Sequence, residues 1–274
     1  REITTCYRAY SKGLEPDLQP LPRCFADLVL DQQAWLQGAQ CARQENYWKK
    51  HLADLKQLGL PADRSRHTSI DMASATVSRT VPREISASVS ALASKLGTTP
   101  FIVLAAAFKL LLHRYCGQQD LTICTPVAGR ADSEAAQLIG LFTNTLVLRN
   151  RLDPGMTFAA WVARVQENFS DALEHQDFPF PLLADALGMN RDARQNPLSQ
   201  IMFQLQSGGY RQQNAEMVDF GIDGLSVRQQ PAPLSETKVD LSWYMMERES
   251  GYLLTIEYRA ALFDSWRVER MAQH

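Results

Sequence analysis

No apolar run in this sequence is long enough to cross a membrane. The most apolar segment, residues 98–108, meets Lys109 well short of the roughly 20 residues that a span requires. Cysteine is sparse: Cys6, Cys24, Cys41, Cys116 and Cys124 are scattered without a CxxC pair. That pattern indicates neither a disulfide framework nor a zinc site, and the expectation is reduced thiols in a cytosolic protein. A net charge of −2 over 274 residues supplies no global field to attract nucleic acid or an anionic membrane. Also missing are GxSxG, a P-loop, GxGxxG and HExxH, and none of His51, His67, His113, His175 and His274 falls in a metal-ligand spacing. No active site is visible by these criteria.

What is present is periodic. The chain begins REITTCYRAY, without Met and already in an amphipathic helix, as a fragment would. Gly13 and Pro16 stop that helix, and Pro16, Pro20 and Pro22 make the next stretch an extended connector. A long helical pattern then runs from about 25 to 58, closed by Gly59 and Pro61. Residues 76–81 read as a strand, and 84–96 place Ile85, Val89, Leu92 and Leu96 on one helix face before Gly97. Thr99-Pro100 opens a second helix, to about 115, which is apolar nearly all round and therefore buried.

Two strands follow, about 120–127 and 141–149, joined by a polar loop that Pro126 and Gly129-Arg130 open. Thr143 and Asn144 interrupt the start of the second strand, where polar atoms need partners or a purpose. Residues 157–174 give the clearest amphipathic helix, followed by a short one over 181–187. Ile201, Phe203 and Leu205 alternate as in a strand, and the Gly/Gln/Pro-rich stretch after them reads as loops around a short strand, 220–228. Val239, Leu241, Trp243 and Met245 face Tyr252, Leu254, Ile256 and Tyr258 across a hairpin turned at ERESG. Asp264 caps a last helix. This order, helix-rich, then mixed, then β-rich, predicts an α/β sandwich with helices covering a mixed sheet.

Individual polar candidates carry little by themselves. His67 and Asp71 stand in HxxxD spacing, but in a Ser/Arg-rich loop with Met72 next, and we read them as a solvated loop. His113 reads as a packed or capping residue, and His175 as the cap of the 157–174 helix, where it meets the helix dipole favourably. Ser199 has no neighbouring base. Arg130, Arg149, Arg191 and Arg194 read as solvated or salt-bridged.

Several stretches taken together resemble the second half of a nonribosomal peptide synthetase condensation domain. YWKKHL (47–52), PFIVLAAAFKLLLHRYCGQQDLTICTPVAGR (100–130), IGLFTNTLVLR (139–149), HQDFPF (175–180) and RDARQNPLSQIMFQLQ (191–206) are similar to successive family motifs in the expected order, and residues 7–28 look like the connector that follows the family's HHxxxDG. Cys124 stands where a Gly usually precedes Thr-Pro, and Ser199 where an aromatic is common, which leaves the subtype open. The resemblance implies a chloramphenicol-acetyltransferase-like two-layer lobe: residues 1–14 a terminal helix of the N-terminal lobe, 15–38 a connector, and 39–274 the C-terminal lobe. The 207–240 stretch would hold the segment that crosses to the other lobe.

The activity so implied is peptide-bond formation between a donor thioester and an acceptor amine. Phosphopantetheine arms of carrier proteins would carry both substrates, with no cofactor or metal bound directly. The partners would be those carriers, the missing lobe and neighbouring synthetase domains. Epimerisation, cyclisation or carrier docking on the same fold are the alternatives. The HHxxxDG histidine is absent from the chain, so the expected lobe is inactive alone. Asn144, with Thr143 beside it, becomes the candidate for facing the inter-lobe tunnel; an Asn that satisfies a turn is the alternative. Gly129, Arg130 and Asp177 would hold loops, as would Arg191-Asp192 and Asn196-Pro197.

Overall fold

In the computed structural model of this protein, residues 2–21, 23–65, 71–130, 135–189, 198, 200–206, 217–218, 227–228 and 236–274 are described. Six strands form a mixed sheet: β1 (Ser74–Pro82), β2 (Asp120–Val127), β3 (Asn144–Arg151), β4 (Ile201–Gln206), β7 (Leu241–Arg248) and β8 (Gly251–Arg259). Their order across it is β1-β8-β7-β4-β2-β3, and β5 (Met217–Val218) and β6 (Val227–Arg228) form a separate ribbon. β4 lies parallel to both β2 and β7, and the other pairings are antiparallel.

The register aligns the apolar residues on one face. Leu148 opposes Ile123, and Phe203, Trp243 and Ile256 stand side by side across β4, β7 and β8. Helices α4 (Arg83–Lys95), α5 (Pro100–Cys116) and α6 (Phe158–Glu174) cover this face. Phe108 of α5 lies 5.1 Å from Phe203 and 4.6 Å from Trp243 between ring centroids, and Trp161 of α6 donates its indole N–H to Ala106 O (3.0 Å). Fully burying an aromatic or aliphatic side chain of this kind contributes about 1.5–3 kcal/mol, so this layer carries most of the stability. α8 (Ser265–Gln273) packs on β1 and β8.

α5 follows its local signals. Thr99 caps it by accepting from Ile102 N (3.4 Å), Pro100 occupies the first turn, and Gly117 ends it in the left-handed region (φ 68°). One feature escaped the apolar pattern. Lys109 is fully buried, and its Nζ donates to Leu148 O (2.9 Å) and to Asn150 Oδ1. Among the described residues no carboxylate is a partner of Nζ, and burial pushes its pKa down to about 7.

Elsewhere the structure corrects the expectation. The 25–58 pattern is two helices, α2 (Phe25–Leu36) and α3 (Ala39–His51), parted at Gly38. α3 ends at His51, because Arg149 takes the carbonyls of His51 (3.0 Å) and Ala53 (2.7 Å) while gripping Asp120 with two bonds (2.9 and 2.7 Å). β3 starts at Asn144, since residues 141–143 leave the ladder to form a loop. Asp264 stands at the cap position of α8, but its carboxylate makes no cap bond and pairs instead with Arg64. Of the 220–228 strand only Val227–Arg228 is described.

Candidate functional site

Two loops and two helices meet at the far end of the β2–β3 pair. β2 leads into Gly129, whose φ of +61° and contact with the Phe142 carbonyl leave no room for a Cβ. Arg130 next to it donates to Leu138 O (2.8 Å) and Ala135 O, and its guanidinium lies 4.2 Å over the Phe142 ring. Phe142 in turn meets Phe25 of α2 edge-on at 5.3 Å. The loop before β3 is thereby pinned to the start of α2.

Asn144 ties that loop to the turn after α6. Its Nδ2 donates to Gln176 O (2.7 Å) and Phe178 O (2.8 Å), and its Oδ1 accepts from Phe180 N (3.0 Å). Both donor hydrogens are thus engaged by the turn that leads into α7 (Phe180–Ala186), which is the turn-satisfying role. In the same loop Asp177 accepts from Gln44 Nε2 of α3 (3.3 Å).

Together these pieces wall a cleft of about 530 Å³. Arg23, Leu28, Asp31, Gln32 and Trp35 form one side; Gly129, Leu141, Phe142, Thr143, Asn144, Gln176, Asp177, Pro179 and Pro181 form the other. Arg23 and Asp31 are ion-paired. The lining offers hydroxyl, amide and carboxylate groups between apolar walls, and no histidine or cysteine is among the lining residues. Such a cleft can orient a thin, amide-bearing chain, but among the described residues it holds no imidazole or thiol base for proton transfer.

Four of the expected residues therefore converge here: Gly129, Thr143, Asn144 and Asp177. Arg130 braces the wall from behind. Arg191, Asp192 and Asn196 lie outside the described residues, as do His67, Arg194 and Ser199. Asp71 precedes β1, at the opposite edge of the sheet from β3. Five interstrand steps of about 4.8 Å each separate the two edges. Its Oδ1 caps its own turn at Ala73 N (2.8 Å), so that aspartate serves the loop.

His113 Nδ1 meets Gln118 O (2.8 Å) just beyond α5, and His175 Nδ1 meets Asp171 O (2.7 Å) at the end of α6. His51 Nε2 lies 3.1 Å from Asn168 Nδ2, and burial, with Arg149 and then Lys109 nearby, holds its pKa below the usual histidine value. Sequence reasoning missed Arg23, Gln32 and Trp35 at the cleft. Arg23 read as extended connector and Gln32 and Trp35 only as helix, and their position opposite Thr143 depends on contacts more than 100 residues apart.

Asn144→Ala is expected to lower stability by roughly 2–3 kcal/mol, since it strands two carbonyls and one amide in a part-buried loop. Asn144→Asp keeps the acceptor but sets a carboxylate against two carbonyls, and it is expected to lose at least as much. Urea unfolding of the two variants checks this, and a midpoint equal to wild type would contradict it.

Comparison with known proteins agrees with the geometry. A family model described as Condensation domain matches residues 1–274. The chain is 38% identical over 277 residues to a linear gramicidin synthase of Brevibacillus parabrevis, covering 100% of this chain and 5% of that protein. It is 33% identical over 274 residues to phosphinothricin tripeptide synthetase PhsC of Streptomyces viridochromogenes, covering 100% of this chain and 25% of that protein. The chain therefore spans a quarter or less of these relatives. Among solved structures, the X-domain from teicoplanin biosynthesis superposes with a TM-score of 0.87 at 26% identity, over 99% of this chain and 62% of that one. The first condensation domain of the calcium-dependent antibiotic synthetase shares the fold, with a TM-score of 0.74 at 23% identity over 99% of this chain and 56% of that one. The mixed sheet with its helical cover is thus the chloramphenicol-acetyltransferase-like architecture of these domains, and the chain belongs to the condensation domain family of nonribosomal peptide synthetases.

Proposed function

We propose that residues 39–274 are the C-terminal lobe of a condensation domain that joins a donor aminoacyl or peptidyl thioester to an acceptor aminoacyl group, both held on carrier proteins by phosphopantetheine arms. Residues 15–38 serve as the connector and 1–14 as the last helix of the other lobe. The observation that carries this reading is the cleft itself, which offers polar groups for orientation and, among its described lining residues, no imidazole or thiol base. In the reaction the acceptor amine attacks the thioester carbonyl, the C–N bond forms, the C–S bond breaks, and the amine proton must leave. Holding two tethered reactants in line supplies much of the acceleration, and Thr143 and Asp177 are placed to fix the amide-bearing acceptor arm. Asn144 acts on the same wall from within it. The base is assigned to the lobe that bears HHxxxDG.

α1 (Glu2–Tyr10) supports that assignment. It has no buried residue, and Ile3, Tyr7, Tyr10 and, just beyond it, Leu14 line up exposed at helical spacing, the surface of a helix whose partner lies elsewhere. No single described helix is long and apolar enough to cross a membrane.

The purified 274-residue chain, given donor- and acceptor-loaded carriers, is expected to yield no dipeptide by mass spectrometry, whereas the complete domain yields it. Product from the chain alone would overturn the reading. Docking without catalysis is the second reading. It is favoured by the likeness to the X-domain from teicoplanin biosynthesis, which is also seen in complex with OxyB and there matches this chain at 25% identity and a TM-score of 0.86. Retention of carriers by a complete domain that makes no product would select it.

A further inference from the structure

One stripe of α3 is spent on α6 and the turn after it. Gln44, Tyr47, Trp48 and His51 recur at the spacing of one helix face; the first three meet the turn after α6, and His51 meets the body of α6. Tyr47 stacks on His175 with centroids 3.7 Å apart and planes 7° off parallel. Trp48 Nε1 donates to His175 O (3.0 Å), and His51 meets Asn168. Gln44 reaches furthest: Nε2 donates to Asp177 Oδ2 (3.3 Å) and Oε1 accepts from Phe178 N (2.9 Å).

With Asn144 on Gln176 O, Phe178 O and Phe180 N, the turn is held from both sides by two side-chain amides. Pro179 needs no partner for its nitrogen. The outer surface of this turn, Gln176, Asp177 and Pro179, is cleft wall, and Gln44 itself is not among the lining residues.

We propose that Gln44 is a positioning residue for the cleft: its amide, seated behind the 175–180 turn, aims the Asp177 carboxylate and fixes the wall against which the acceptor arm lies. The proposal rests on the condensation reading for the identity of the arm. The local chemistry does not. A glutamine suits the place because it must donate to a carboxylate and accept from an amide at once. Gln44→Glu keeps the acceptor for Phe178 N but sets a second carboxylate against Asp177, and Asp177→Asn restores the missing donor from the other side.

The test uses the complete condensation domain carrying Gln44→Glu, Asp177→Asn or both, with acceptor-loaded carrier varied at saturating donor. Hydrogen exchange at the Phe178 amide is read in the same samples. Gln44→Glu is expected to raise the acceptor KM about tenfold with kcat within about threefold, the tenfold corresponding to ~1.4 kcal/mol. It is also expected to speed Phe178 exchange by a similar factor, and the double variant, which loses the Asp177 carboxylate, should return the exchange but not the KM to within about threefold of wild type. A residue that only supports the fold would lower the melting temperature without this KM change and without rescue. Wild-type KM and exchange in Gln44→Glu, or no recovery of Phe178 exchange in the double variant, would overturn the proposal. A wild-type domain without product would overturn the condensation reading instead, while exchange with rescue would still support the Gln44–Asp177 pairing behind the turn.

Discussion

Raising the pH from about 7 to about 10 is expected to strengthen the protein against unfolding, and Lys109→Met is expected to remove most of that gain. Lys109 is fully buried, and burial lowers its pKa from 10.5 to about 7. Between these values the unfolded chain binds a proton that the folded one does not, so stability rises with pH. Below about 7 both states carry the proton and the contribution is flat; above 10.5 neither does. Each pKa unit corresponds to about 1.4 kcal/mol, so the full span is on the order of 5 kcal/mol, of which about 4 kcal/mol falls between pH 7 and 10.

The rise should end near pH 10. Burial, with Asp171 and Glu174 nearby, pushes Tyr47 up to about 12, and from about 10 upward the unfolded state releases that proton first, which costs stability. At a single pH the methionine variant is a poor test, because it removes a buried charge but strands Leu148 O and Asn150 Oδ1, each worth roughly 1–3 kcal/mol if left unpaired. The pH slope is the discriminating quantity. Urea unfolding of both proteins at intervals from pH 6.5 to 10 measures it, and parallel curves would show that Lys109 titrates at its ordinary value.

Gly129→Ala is expected to be the most damaging single change at the cleft, costing upward of about 3 kcal/mol, against about 1 kcal/mol for Gly117→Ala. Both glycines adopt the left-handed region, at φ +61° and +68°, and a side chain there costs roughly 1–2 kcal/mol at either site. The difference is space. A Cβ at Gly117 meets nothing within 4 Å, whereas at Gly129 it runs into the Phe142 carbonyl, backbone that cannot yield without moving the loop. That movement lifts Phe142 from the Arg130 guanidinium and from Phe25, and with them the wall that bears Leu141 and Thr143. Denaturant midpoints of the two variants compare the costs directly; equal losses would mean that the loop gives way freely.

Much of the scaffold was legible because its signals are local. Thr99, Pro100 and Gly117 bracket α5, period-two alternation marks β7 and β8, and β2 runs over the expected residues. The ordered motifs also pointed to the family. The site was legible only as an inventory. Gly129, Thr143, Asn144 and Asp177 could be singled out, but whether the Asn144 amide faces a substrate or a turn depends on where Gln176, Phe178 and Phe180 lie, more than 30 residues away. Lys109 was hidden for the same reason, as its partners sit on a strand some 40 residues further on.

The sequence by itself determined the periodicities, the caps and the family, since each depends on neighbours within a few positions or on motif order. Only the tertiary structure decided that α2 faces the β2–β3 loops, that Gln44, Tyr47 and Trp48 of α3 converge on the 175–180 turn, and that a lysine can sit in the core with, among the described residues, a carbonyl and an amide oxygen as its partners. Those outcomes follow from side-chain hydrogen bonds and packing between distant segments, whose partners no local pattern specifies.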